Sequence, residues 1–110
     1  MLTFVESPQF TAQILDLLSD DDYREFQRDL AARPTQGEVI PGLRGLRKVR
    51  RSAKGKGKRG GARVIYLHLP GAGLIYLFYA YTKGDITDLS PDHKKRLLAA
   101  VEEIKAHYTP

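Results

Sequence analysis

Residues 46–69 read LRKVRRSAKGKGKRGGARVIYLHL, and after the turn PGAG, residues 74–81 read LIYLFYAY. Val64, Ile65, Tyr66 and Leu67 are β-branched, aromatic or aliphatic in an unbroken run, which predicts a strand over residues 62–69. Residues 74–81 are apolar on both faces, so that strand belongs inside a sheet rather than at its edge. The four-residue turn between them makes a β-hairpin. Residues 45–51 form a further strand, although Leu46 and Val49 fall on opposite faces. Residues 52–61, SAKGKGKRGG, are too rich in glycine for a regular element.

Before this stretch, residues 2–6 form a short first strand. Ser7-Pro8 then starts a helix, with serine accepting from orphan N–H groups and proline in its favoured first position. Phe10, Ile14, Leu17 and Leu18 occupy one helical face. Ser19 opens a second helix, with Asp20, Asp21 and Asp22 in the first turn, where the helix dipole favours anions. Its buried stripe is Tyr23, Phe26 and Leu30, and Pro34 ends it. The short loop at Ser19 suggests an antiparallel helix pair. Residues 35–42 are a loop. Ser90-Pro91-Asp92 repeats the helix-start chemistry, and Leu97, Leu98, Val101, Ile104 and Tyr108 form the apolar stripe of a C-terminal helix. The order is β-α-α-β-β-β-α, an α+β fold with four strands in a single domain over residues 1–110.

At 42% hydrophobic and 28% charged residues, the chain is neither disordered nor collagen-like. No apolar run approaches the roughly 20 residues that span a bilayer. The N-terminus shows no secretory pattern, so a cytoplasmic protein without membrane contact is expected. With no cysteine there are no disulfides and no thiolate chemistry, and three scattered histidines make a poor metal set. No metal or other cofactor is expected.

Charge is strongly segregated. Between Glu38 and Asp85 there is no acidic residue, while eleven are basic: Arg44, Arg47, Lys48, Arg50, Arg51, Lys54, Lys56, Lys58, Arg59, Arg63 and Lys83. The whole chain nets only +5, so the remainder is acidic. Such a block is the electrostatic footprint of a polyanion binder. A solvated basic loop, or a patch covered by an acidic protein, gives the same composition. Arginine matches phosphate oxygens with a planar fork of donors, and lysine supplies a compact charge. Glycines 55, 57, 60 and 61 permit close backbone approach to an anion. GKGKRGG lacks the GxxxxGK[ST] spacing and joins two strands, so it is not a nucleotide-binding P-loop.

LRKVRRSAKGKGKRGGARVIYLHL, followed by a strand ending YAYTKGDITDLSPDHKKRL, resembles the RelE/HigB group of the RelE/ParE toxin superfamily. The opening FVESPQF, the loop PTQGEVIPGLRGLRK and the element order agree, so the resemblance covers essentially the whole chain. It implies a RelE-like fold: a twisted, mainly antiparallel sheet, the N-terminal helices on one face, and a concave basic surface on the other. It also implies the toxin of a type II toxin–antitoxin pair, a ribosome-dependent endoribonuclease that cuts mRNA in the A site without a metal. The 2′-hydroxyl attacks the adjacent phosphate and leaves a cyclic phosphate. The implied partners are the ribosome, mRNA and a cognate antitoxin, commonly of helix-turn-helix type.

Carried over residue by residue, the resemblance puts Arg63 at the scissile phosphate. Lys48 and Arg50 fall on the basic strand as general base or electrostatic stabiliser, and Lys83 near the leaving oxygen. Arg47 and Lys58 are close alternatives. Arg47, Arg51, Lys54, Lys56, Lys58 and Arg59 form the expected RNA-binding surface, with Tyr81 the candidate to stack on a base. The chain departs from some family members in having no tyrosine between Lys83 and the last helix. His93 reads as solvated and His68 as a packed or edge residue. Tyr66, Tyr76 and Tyr79 read as sheet core or rim. The competing readings are a ParE-like gyrase inhibitor, which needs no phosphate-cutting set, and a non-catalytic RNA- or DNA-binding module.

Overall fold

The structure is a computed structural model that describes residues 2–53, 58–82 and 90–108. Its elements run β1 (Thr3–Glu6), α1 (Pro8–Leu17), α2 (Asp20–Ala32), β2 (Glu38–Val39), β3 (Arg47–Ala53), β4 (Lys58–Leu69), a 3-10 turn (Pro70–Ala72), β5 (Leu74–Thr82) and α3 (Pro91–Tyr108). The α+β class holds. The expected four strands are corrected to five, in the order β1-β5-β4-β3-β2. The sheet is mixed: β1 lies parallel to β5, and the other three pairings are antiparallel. The extra strand β2 is two exposed residues pairing with Lys48 and Arg47, too short to show any periodicity.

Each helix starts at its expected serine. Ser7 Oγ accepts from Phe10 N at 3.0 Å, Ser19 Oγ from Asp22 N at 3.1 Å, and Ser90 Oγ from His93 N at 3.1 Å. These caps satisfy amides that no intrahelical carbonyl can reach. Ser7 also fastens α1 to the sheet. Its N–H donates to Leu77 O at 3.0 Å and its hydroxyl to Phe78 O at 2.8 Å. Gln13 Oε1 accepts from Ala80 N at 2.8 Å. Together they cover the edge of β5 beyond the end of β1, leaving fewer bare backbone groups there.

Apolar residues pack on both faces of the sheet. On one face, Phe10, Ile14, Leu17, Leu18, Phe26 and Leu30 of the helical pair meet Ala62, Val64, Tyr66, Ile75 and Leu77. On the other, Leu97 and Val101 of α3 meet Ile65, Leu67, Phe78 and Tyr81, joined by Ile40, Leu43 and Leu46. The segment carrying those last three is held by Ile40 N–H to Leu46 O at 2.9 Å, and Lys105 Nζ donates to Arg44 O at 2.6 Å. β5 lies between β1 and β4, the interior position its apolar sequence implies. The glycine-rich stretch is a correction: β3 runs on to Ala53, and β4 begins at Lys58 rather than after Gly61.

β5 does not alternate strictly. Ile65 stands opposite Tyr79 and Tyr66 opposite Leu77, so Phe78 is an extra residue in the strand. This bulge breaks the period of two. Tyr76, Phe78, Tyr79 and Tyr81 consequently all contribute to the α3 face. No helix of the described residues is long and apolar enough to cross a membrane.

Candidate functional site

Strand alternation sorts the basic residues onto two faces. Val49 packs with the helical-pair core, so Arg47 and Arg51 share that face, and Lys48 and Arg50 take the other. Arg51 is engaged there by α2, with Nη1 2.5 Å from Asp29 Oδ2 and Nη2 3.7 Å from Glu25 Oε1. Arg47 donates from Nη1 to Gly37 O at 2.7 Å and to Thr35 O at 3.2 Å. Both arginines therefore brace β3 against the helices and the 35–37 segment. His68 lies on the same side. Its pKa is lowered, first by burial and then by the Arg47 charge.

The opposite face carries a different set. Arg50 is paired with Arg63 across β3 and β4, and Arg63 with Tyr81 across β4 and β5. The three form one row over three strands. The neighbouring row is Lys48, Ile65 and Tyr79. Lys48 and Arg50 are exposed, and Arg63 is half-buried. Among the described residues, none of the three is in an ion pair. Arg63 Nη1 is buried and has no hydrogen-bond partner among the described residues.

Like charges directly opposed on a sheet are destabilising. A buried guanidinium nitrogen without an acceptor carries a desolvation cost as well. An anion bound over the row would offset both. Two arginine forks suit a phosphate, whose oxygens accept several charge-assisted bonds at once.

Tyr81 is buried, 6% exposed, with its ring 5.8 Å from that of Tyr79. It walls the row rather than offering an open stacking face. Tyr79 and Tyr76 are the half-exposed tyrosines of β5, and the sequence pattern assigns them no role in binding. The bulge at Phe78 brings Tyr79 onto the face that Tyr76 already occupies, and nothing in an apolar run announces a bulge. His93 is half-buried against Tyr79, ring centroids 5.1 Å apart and edge to face. Tyr66, fully buried, accepts from Gly37 N–H at 3.1 Å and donates to Pro34 O at 2.7 Å.

The structure thus brings together Arg63, Arg50 and Lys48, with Tyr81 alongside, and separates Arg47 and Arg51 from them. Lys83, Lys54 and Lys56 lie outside the described residues. Lys58 and Arg59 open β4, and their side chains lie outside the description too. Among the described residues no three histidine or acidic side chains cluster as metal ligands would. No family model matches the chain.

Proposed function

We propose that the chain is the toxin of a type II toxin–antitoxin pair, an endoribonuclease that cuts mRNA in the ribosomal A site. The carrying observation is the Arg63 guanidinium, unpaired at Nη1 among the described residues and directly opposite Arg50. The resemblance of the chain to RelE and HigB toxins, carried by residues 46–69 and 79–97 with the opening and loop segments, supplies the reaction class. The fold is RelE-like in this reading, with the two N-terminal helices behind the sheet and the catalytic row in front.

In the reaction, the 2′-oxygen attacks the adjacent phosphorus and the 5′-oxygen leaves. The products are a 2′,3′-cyclic phosphate and a 5′-hydroxyl. Arg63 and Arg50 offset the charge that builds on the non-bridging oxygens. Lys48, one row along, and Lys83 are the candidates for moving protons or stabilising the leaving oxygen. The ribosome would hold message and toxin in line, the orientation so small a site does not itself supply. The other partners are mRNA and a cognate antitoxin, the compartment is the cytoplasm, and no metal takes part.

The test is a purified ribosome complex holding mRNA with an empty A site. Added protein is expected to cut within the A-site codon and leave a 5′ end that a kinase labels without prior phosphatase treatment. Intact message together with blocked gyrase supercoiling would replace this reading with the gyrase inhibitor. Intact message with salt-sensitive RNA or DNA binding alone would leave a non-catalytic binding module.

A further inference from the structure

A cleft of about 650 Å³ opens between β5 and α3, with Ser7 and Gln9 at the start of α1 on its rim. Tyr76, Phe78 and Tyr79 line it from β5, and His93, Arg96 and Glu103 from α3. Its volume is in the range of sites that hold small organic groups. Tyr76 and Tyr79, half-exposed and backed by the buried Phe78, are a surface for a planar ring. Arg96 is exposed and makes no ion pair among the described residues. Aromatic walls with a free guanidinium at the rim match a planar, hydrogen-bonding and anionic ligand. A nucleotide has all three properties, and Glu103 adds an acceptor for an amino group on a base.

Tyr79 links the cleft to the arginine row. Tyr79 is the diagonal neighbour of Arg63, because Arg63 faces Tyr81 and Tyr79 lies two residues back on β5. Diagonal neighbours on a sheet are about 7–8 Å apart, within the reach of one nucleotide. Tyr79 therefore borders both the row and the cleft.

We propose that this cleft is a nucleotide subsite. It takes the base of the RNA residue next to the phosphate held by Arg63, and Arg96 meets that residue's own phosphate. The assignment rests on the RNA-cleaving reading for its occupant, and its test does not depend on cleavage.

The probe is an adenosine trinucleotide with every 2′-oxygen methylated, so that no cut can occur, titrated into isotope-labelled full chain. In wild type, the amides of Arg50 and Arg63 and those of Tyr79, Leu97 and Ala100 are expected to shift with one common saturation curve. Arg96→Glu, an exposed change, is expected to weaken binding by about 10-fold. Ala100→Phe, which fills the cleft from α3, is expected to abolish the Tyr79 shifts while the Arg63 shifts persist. Shifts at the arginine row alone would overturn the subsite and leave the RNA-cleaving reading standing. Shifts in the cleft alone would overturn its link to Arg63. Silence at both would overturn the subsite and the phosphate row together. Wild-type affinity in Arg96→Glu would overturn the role given to Arg96.

Discussion

Arg50 and Arg63 stand directly opposite each other on adjacent antiparallel strands, with no acidic partner for either among the described residues. A sheet selected only for stability would place an acid or an apolar residue at one of these positions. The arrangement is intelligible as a site built for an anion that arrives from outside the chain.

Stability and activity should therefore move in opposite directions at Arg63. Arg63→Met keeps an unbranched stem and removes both the opposed charge and the unpaired Nη1. It is expected to raise stability by about 1 kcal/mol, or roughly 4 °C in melting temperature. The same change should lower mRNA cleavage by at least about 100-fold. Calorimetry and a cleavage time course check the two halves separately.

Arg50 and Arg51 are neighbours in sequence with opposite expected phenotypes. Arg50→Ala should leave the fold intact and reduce the salt slope of RNA binding by about 0.7, the loss of one phosphate contact on a single strand. Arg51→Ala frees Asp29 and Glu25 and should cost about 1 kcal/mol of stability while leaving the salt slope unchanged. Urea unfolding and binding at several salt concentrations distinguish them.

Gly37 is required by close packing. A Cβ there would lie 2.9 Å from Tyr66 Cε1 and 3.0 Å from Lys48 O. Gly37→Ala is expected to destabilise by about 1–3 kcal/mol. Tyr66→Phe removes the hydroxyl that serves Gly37 N–H and Pro34 O, at a cost of about 1–2 kcal/mol. The two losses should fall short of additive in a double-mutant cycle, because both disturb the same contact.

Alkaline pH should expose two tyrosines in particular. The Tyr23 pKa is raised by burial, reinforced by its hydrogen bond to Glu6 and the Glu6 charge, and burial raises that of Tyr66. Both folded-state values lie above the ordinary 10.0, so their contribution to stability is fully present below that pH. Above it the unfolded chain loses phenolic protons first, and stability falls. Denaturant unfolding from pH 9 to 11 should show this decline, with a shallower slope in Tyr23→Phe than in wild type.

Much of this fold was legible because its determinants are local. Ser7, Ser19 and Ser90 cap their helices through a side chain three residues from the amide it serves, and serine before an apolar-periodic run states that directly. Phe10, Ile14, Phe26 and Leu30 are buried as their spacing requires. What escaped was non-local. The parallel pairing of Thr3 with Leu74 depends on where two distant segments meet. At the site, Arg63, Arg50 and Lys48 were identifiable as basic strand residues. Removing Arg47 and Arg51 from their company required the register of β3 and the position of α2. Tyr79 emerged only with the bulge at Phe78.

The proposed role of Arg63 is to hold the scissile phosphate of ribosome-bound mRNA. The most direct measurement adds wild-type protein, Arg63→Ala or Arg51→Ala to a cell-free bacterial translation reaction and maps mRNA 5′ ends by primer extension. Ribosome-dependent cuts within codons are expected for wild type and Arg51→Ala, and none for Arg63→Ala at equal concentration. Undiminished cutting by a folded Arg63→Ala variant, or intact message with the wild-type protein, would contradict it.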